Sequence, residues 1–226
     1  MSSQISSEGR TPIEELGVLA QQSIEVAPGL EHVEIFTLGG LLTLLWHGDP
    51  DLEAAVVACG GGMGGLLGPA EGLYHQLGNE LADQGIGMVR VGYRRPNDLD
   101  ACQLDVAAAV EMAARHGGRR FVTMGHSFGG AVAIRVATAL AEPVVGVVTF
   151  ATQSAGCEVA GALDGRPLLL FHGDRDEILP LQASEVVREI AGTGELVVLP
   201  NTGHLMAEAR DVLLERLREW LPDVLG

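Results

Sequence analysis

A serine, an aspartate and a histidine that together can perform nucleophilic chemistry stand far apart in this chain, and the serine has the clearest surroundings. Ser127 lies in the stretch Gly125-His126-Ser127-Phe128-Gly129-Gly130. An apolar run before it and helix-compatible residues after it predict strand, sharp turn and helix in that order. Such a turn projects the hydroxyl above the sheet and requires small residues on either side, here Gly125 and Gly129. The motif predicts a nucleophilic serine.

A structural interpretation of the same motif stands beside this one. Glycine supplies 31 of the 226 residues, so the spacing G-x-S-x-G alone is weak evidence, although it occurs once in the chain. The alternative is a tight strand-to-helix turn in which Ser127 caps the helix. The position between strand and helix favours the interpretation as a nucleophile. There the first amides of the helix would stabilise the oxyanion that develops on the substrate.

The base that a serine hydroxyl needs near neutral pH is expected to be His204. This histidine follows the last predicted strand, at the sheet edge where open α/β folds bind ligands. The loop after the preceding strand supplies Asp174, Asp176 and Glu177. Asp174 is the natural turn former and Glu177 points elsewhere, so Asp176 is expected to orient the base. Each acid alone is more often a solvated loop residue, and the support comes from the chain order Ser, Asp, His.

The remaining histidines and the cysteines are expected to be structural or incidental. None of these histidines has H-x-x-x-H spacing, which argues against a metal site; they are His32, His47, His75, His116, His126 and His172. The cysteines are odd in number and lack C-x-x-C spacing, so reduced thiols are expected rather than disulfides or zinc ligands; they are Cys59, Cys102 and Cys157.

A glycine-rich segment, Gly60-Gly61-Gly62-Met63-Gly64-Gly65, follows the predicted strand Ala54–Cys59 and has three interpretations. In the first, it curls over the nucleophile, and the amide of Gly61, with Gly62 and Met63 as neighbouring candidates, joins the amide of Phe128 in an oxyanion hole. In the second, its G-x-G-x-x-G spacing binds a dinucleotide. A Gly-Pro pair at 68–69 and the lack of an acid after the next strand oppose this, leaving only an NADP variant that uses Arg94. The third is a plain turn.

Two arginines come at the end of the predicted strand Met88–Tyr93, on the side of the sheet where the site is expected. Arg94 and Arg95 are candidates for binding a substrate carboxylate or phosphate. A surface ion pair with Asp98 or Asp100 is the alternative, and it is the more frequent role of such residues.

These residues have to be positioned by a sheet, and the pattern from Val33 onward predicts one. Short apolar runs alternate with helical patterns, which is typical of βαβ units in a largely parallel sheet. The predicted strands are Val33–Leu38, Leu41–His47, Ala54–Cys59, Met88–Tyr93, Arg120–Met124, Val144–Phe150, Pro167–His172 and Glu195–Leu199. The predicted helices are Ala70–Gln84, Leu99–His116, Ser127–Leu140, Leu181–Ala191 and Met206–Trp220. The glycines at 39 and 40 predict an antiparallel hairpin of the first two strands.

The remaining parts of the chain set the domain organisation. Residues 1–30 resemble a leader without an assigned function, with a weak helix at Ile13–Ser23, and residues 31–226 are expected to form a single domain. Only about sixteen residues separate Phe150 from Pro167, too few for a multi-helix cap. An open site is therefore expected.

Composition argues against several classes of partner. No apolar run is long enough to span a membrane, and the serine-rich start has no secretory h-region, so a cytoplasmic protein without membrane contact is expected. The net charge of −16 repels phosphate backbones, which argues against nucleic acid. The expected partner is a small acyl substrate.

Taken together, the motifs resemble those of the α/β-hydrolase superfamily, in particular its small lidless esterase-like and dienelactone-hydrolase-like members, over about residues 33–222. The resemblance rests on the serine motif at 125–130, the stretch from His172 to Pro180, and Gly203-His204. It implies an eight-stranded, mostly parallel sheet with an antiparallel second strand, helices on both faces and no large cap domain. It also implies a Ser-His-Asp triad that requires no cofactor.

The reaction implied by this resemblance is cleavage of a carboxylic ester through an acyl-enzyme on Ser127. Thioester, amide or lactone cleavage and acyl transfer use the same residues and stay open, as does a non-catalytic binding module. Many relatives have a histidine before the oxyanion glycines, where this chain has Cys59, so the identity of the loop amide donor stays open. Dienelactone hydrolases proper use a cysteine nucleophile, and Ser127 therefore favours ester cleavage.

Overall fold

A nine-stranded sheet forms the centre of the computed structural model, which describes residues 9–226. The strands are β1 (Val18–Ala27), β2 (Leu30–Thr37), β3 (Gly40–His47), β4 (Ala54–Cys59), β5 (Gly87–Gly92), β6 (Arg120–His126), β7 (Val144–Phe150), β8 (Leu168–Gly173) and β9 (Glu195–Leu199). The α-helices in these residues are α1 (Pro12–Leu16), α2 (Pro69–Ala82), α3 (Leu99–Arg115), α4 (Phe128–Ala139), α5 (Gln182–Ala191) and α6 (Arg210–Leu225).

Strand direction explains why distant parts of the chain meet at one edge of the sheet. The strand order is β1-β2-β3-β5-β4-β6-β7-β8-β9. Strands β1, β2 and β3 are antiparallel neighbours, and β3 is antiparallel to β5. From β5 to β9 every neighbouring pair is parallel. The carboxyl ends of β4, β6, β8 and β9 therefore lie together, which is where open α/β folds bind ligands.

Two hydrophobic layers, one on each face of the sheet, hold the helices in place. Val57 belongs to the layer that contains α3 and α4, whereas Val56 belongs to the layer that contains α2 and α6. Neighbouring strand residues divide in this way because successive side chains point to opposite faces. Both faces are covered, so the central strands are continuous apolar runs, as expected of a parallel sheet.

The structure confirms the predicted fold class and adds one strand to it. All eight predicted strands are present, and the predicted antiparallel hairpin is formed by β2 and β3. The segment between β7 and β8 contains one short 3-10 helix, Ala160–Leu163, so this connection carries no large cap. Each helix in residues 9–226 is too short or too polar to cross a lipid bilayer.

The ninth strand corrects the expectation for the first thirty residues. A helix was expected at Ile13–Ser23, but α1 ends at Leu16, because Gly17 adopts a left-handed conformation with φ 63° and closes the helix. Strand β1 then pairs with β2 through the turn at Pro28-Gly29. Part of the expected leader is therefore the edge strand of the sheet, and residues 1–8 lie outside the described residues.

Candidate active site

Ser127 occupies a strained turn between β6 and α4. Its backbone has φ 57° and ψ −117°, a region that residues other than glycine rarely adopt. A Cβ atom on Gly125 would overlap the carbonyl of Gly129, and one on Gly129 would overlap the carbonyl of Gly60. The Ser127 side chain makes no capping hydrogen bond to α4, which contradicts the structural alternative of a helix-capping serine. The turn thus holds the serine in a position that capping does not explain.

The histidine and the acid expected to serve Ser127 are hydrogen-bonded to each other. Nδ1 of His204 lies 2.7 Å from Oδ2 of Asp176, whose side chain is 1% exposed. Oδ1 of Asp176 accepts hydrogen bonds from the amides of Ile178 and Leu179, both at 2.8 Å. These contacts fix the carboxylate in one orientation.

The surroundings of Asp176 also keep it ionised. Burial opposes its ionisation, but the hydrogen bonds from the Leu179 amide, the His204 ring and the Ile178 amide outweigh that effect, and the pKa of Asp176 lies below its usual range. An ionised carboxylate accepts from Nδ1–H of His204, which leaves Nε2 as the basic nitrogen of the ring.

Ser127 and His204 face one cavity of about 610 Å³, a volume in the ordinary range for small-molecule sites. The hydrogen bonds of residues 9–226 do not include one between the Ser127 hydroxyl and the His204 ring. In ligand-free enzymes this contact is often long and shortens when substrate binds. The structure thus joins His204 directly to Asp176, and Ser127 and His204 line the same cavity.

The glycine-rich segment lies against the serine turn. A Cβ atom on Gly61 would stand 3.7 Å from Cβ of Ser127, and one on Gly62 would stand 3.7 Å from Cβ of Phe128. Two tyrosines anchor the start of this segment, because the hydroxyls of Tyr74 and Tyr93 donate hydrogen bonds to the backbone carbonyls of the residues at 59 and 60. This proximity is compatible with the oxyanion-hole interpretation, which stays a prediction. Which of the amides at 61, 62 and 63 faces the oxyanion stays a prediction.

The dinucleotide interpretation of this segment has no support from the backbone. The segment turns back on itself, since the amide of Gly64 donates to the carbonyl of Gly61 at 2.9 Å. The next helix, α2, begins only at Pro69, and residues 70–72 have positive φ. No helix amino terminus therefore follows the glycines directly, as a pyrophosphate site of that type needs.

Arg94 and Arg95 do not reach the cavity. Nε of Arg94 lies 2.5 Å from Oδ1 of Asp105 on α3, and its own amide donates to Oδ2 of the same carboxylate at 2.8 Å. The two side chains are 7% and 0% exposed, so this is a buried ion pair rather than the expected surface pair with Asp98 or Asp100. Both arginines line a separate depression of the surface. Neither arginine lines the cavity with Ser127, so the expectation that they bind substrate there has no support from their positions.

Two histidines that were expected to be structural or incidental contact Asp176 or His204. His172 at the end of β8 is buried, with Nε2 3.4 Å from Oδ2 of Asp176 and Nδ1 2.7 Å from the Ser184 hydroxyl. His126 precedes the nucleophile, and its Nε2 lies 3.0 Å from the carbonyl of His204. Their positions in the sequence could have indicated this, because each histidine lies at the carboxyl end of a strand, at the sheet edge where the cavity lies.

Cysteines and side chains of the types that can bind a metal ion also occur in the described part of the chain. Within residues 9–226, no three His, Cys, Asp or Glu side chains are placed to hold a metal ion. The three cysteines are unpaired and buried. Burial raises the pKa of Cys59 to about 12, so this thiol at the end of β4 is protonated at neutral pH.

Comparison with solved structures places this geometry in a known fold. Est1E from Butyrivibrio proteoclasticus is 16% identical, with a TM-score of 0.72 over 85% of this chain and 98% of that one. The dienelactone hydrolase of Anabaena variabilis is 17% identical, with a TM-score of 0.72 over 92% and 99%. XC6422 from Xanthomonas campestris, described as an α/β serine hydrolase without lid, is 22% identical, with a TM-score of 0.64 over 88% and 98%.

The chain has the α/β-hydrolase fold. No protein-family model matches its sequence, and no curated protein matches it. In terms of this fold, β2 to β9 are the eight strands that the resemblance implied, with β3 in the antiparallel second place. Strand β1 is an addition at the edge that lies far from the cavity.

Proposed function

We propose that this α/β-hydrolase-fold chain is a serine hydrolase that cleaves a carboxylic ester of a small substrate through an acyl-enzyme on Ser127. One observation carries the proposal. A histidine held by a buried, ionised aspartate lines the same cavity as a serine on a strained strand-to-helix turn. The similarity to solved hydrolases supports it at the level of the fold.

The first half of the reaction forms the acyl-enzyme. Nε2 of His204 accepts the proton of the Ser127 hydroxyl, while the oxygen attacks the ester carbonyl carbon. The negative charge that develops on the carbonyl oxygen is stabilised by the amide of Phe128 at the start of α4 and by an amide of the glycine-rich segment. The intermediate then collapses, and the alcohol leaves with the proton from His204.

The second half returns the enzyme to its starting state. A water molecule gives a proton to Nε2 of His204 and attacks the acyl carbon. The carboxylic acid is released as Ser127 regains its proton. Asp176 holds the imidazole in the required tautomer throughout and stabilises its cationic form without taking the proton itself.

A panel of acyl donors and acceptors tests this assignment. We expect the purified protein to hydrolyse p-nitrophenyl butyrate with a burst of p-nitrophenol that approaches the enzyme concentration, because acylation by an activated aryl ester is faster than hydrolysis of the acyl-enzyme. The matched butyryl thioester and butyryl anilide are expected to be poorer substrates. Faster turnover of either, or butyrate transferred mainly to an added alcohol, contradicts ester hydrolysis as the main activity.

A further inference from the structure

The cavity in front of Ser127 is lined by uncharged groups. Six glycines form one wall, and Met63, Leu67 and Leu205 provide the apolar side chains. The polar side chains are Asn97, Ser127 and the two histidines at 126 and 204. Burial lowers the pKa of His126 to about 4, so this ring is neutral at neutral pH.

The residues that line the cavity include no cationic side chain, and an ionised carboxylate lies close behind them. Asp176 stands directly behind His204, at 2.7 Å from its ring, and is ionised. The arginines at 94 and 95, the cations expected to receive a substrate carboxylate, lie in another depression. The chain as a whole carries a net charge of −16. A substrate carboxylate in this cavity would meet no cation and would lie near a negative charge.

We infer that the acyl part of the substrate is apolar and carries no negative charge, and that esters with a carboxylate on the acyl chain are poor substrates. The inference rests on the proposed ester hydrolysis. A carboxylate bound here loses part of its water, gains no cationic partner from the cavity wall and lies near the ionised Asp176. Apolar acyl groups, in contrast, gain from contact with the methionine and leucines of the wall.

Three p-nitrophenyl esters of similar chain length test the inference. The neutral one is the p-nitrophenyl ester of monomethyl adipate, the anionic one is mono-p-nitrophenyl adipate, and the cationic one is p-nitrophenyl 6-aminohexanoate. We expect kcat/KM for the anionic ester to be at least about tenfold below that of the neutral ester, equivalent to about 1.4 kcal/mol. The cationic ester is the control for charge of the other sign, and we expect its kcat/KM to exceed that of the anionic ester. An anionic ester within threefold of the neutral one, or a cationic ester as poor as the anionic one, overturns the inference. Turnover of none of the three contradicts the proposed function itself.

A cation placed on the cavity wall supplies the matched experiment. Leu67 and Leu19 are similarly exposed, at 64% and 67%, but only Leu67 lines the cavity, whereas Leu19 lies on β1. We expect Leu67→Arg to raise the ratio of anionic to neutral kcat/KM about threefold to tenfold, because the added charge attracts the carboxylate locally. Leu19→Arg makes the same change in net charge and is expected to leave the ratio unchanged. Equal ratios in both variants contradict a local effect of the cavity.

A second and independent observation concerns the ring of His126, which connects the serine turn to the loop of the base. The ring is 8% exposed, and its centroid lies 4.9 Å from that of the His204 ring. Since the carbonyl of His204 can only accept, Nε2 of His126 must donate in their 3.0 Å contact. His126 is also the neighbour of Ser127 in the chain. The contact therefore links the backbone of the nucleophile to the backbone of the base.

The geometry also points to His126 as a positioning residue that holds His204 at a fixed place relative to Ser127. Reacting groups displaced by about 1 Å lose up to about a hundredfold in rate. We expect His126→Leu, which removes the donor, to lower kcat about tenfold to a hundredfold with KM changed less than threefold. His126→Gln keeps an N–H donor near the same place and is expected to restore at least a third of kcat.

The pair of variants separates positioning from a purely structural role. Melting temperatures measured on both variants show whether either is unfolded under the assay conditions. Equal kcat values for His126→Leu and His126→Gln, whether both low or both normal, overturn the assignment. A loss confined to KM also overturns it, because it indicates a contact with the substrate instead.

Discussion

Replacing Ser127 by alanine is expected to reduce ester hydrolysis to a small residual rate and to abolish labelling by a fluorophosphonate probe. The substitution removes the only oxygen that the proposed mechanism uses as nucleophile, so kcat falls on the order of 10³-fold or more. The residual rate comes from the oxyanion donors and from substrate binding alone. Labelling is measured by the fluorescence of the protein band and by the mass of the intact chain.

The control for this variant is Ser23→Ala. Ser23 lies on the exposed edge strand β1, so its loss removes a hydroxyl from the chain without touching the cavity. We expect this variant to be labelled as fast as the unmodified protein. Equal labelling of Ser127→Ala and Ser23→Ala would falsify the assignment of Ser127. A folded Ser127→Ala protein, checked by circular dichroism, is required for the comparison.

Replacing Asp176 by asparagine is expected to lower kcat on the order of 10³-fold or more. The amide has nearly the shape of the carboxylate, but its NH₂ group cannot accept from Nδ1–H of His204, and it cannot stabilise the imidazolium. The ring is then held in the wrong tautomer or turns away. The same order of loss is expected for His204→Ala, which removes the base itself. Both are measured as kcat and KM with p-nitrophenyl butyrate.

Asp174→Asn is the matched control for the acid. Asp174 lies in the same loop, but it is exposed, and Asp176 is the acid that accepts the hydrogen bond from His204. We expect Asp174→Asn to retain activity within about twofold, as for exposed loop substitutions away from the site. A retained rate in Asp176→Asn together with a lost rate in Asp174→Asn contradicts the chosen acid and moves the role along the loop.

The residues found from the sequence are those whose position along the chain determines where they lie. Val56 and Val57 belong to a continuous apolar run that is buried on both faces, which marks a central strand without further information. Ser127 and Asp176 follow such strands, β6 and β8, whereas His204 follows the edge strand β9. Parallel strands place their carboxyl ends at one edge, so chain order and strand position together predict their approach.

Features that depend on side-chain direction were not predictable in this way. Arg94 forms its ion pair with Asp105, which lies eleven positions further along the chain, in α3. Its position at the end of a strand does not predict the direction in which the guanidinium points. The contacts of His126 with the base loop depend on the conformation of a turn that includes a residue with positive φ. Strand β1 was missed because all ten of its residues are exposed, so no alternation of buried and exposed positions marks it.

The position of β9 at the edge of the sheet affects how activity is expected to be lost during denaturation. This strand is the outermost one on its side, and its residues are mostly half-exposed or exposed, so it belongs to the parts that fray before the remainder opens. His204 lies in the loop that follows this strand. We therefore expect partial denaturation to remove the imidazole from the cavity while the central strands are still paired, so that activity is lost before global unfolding.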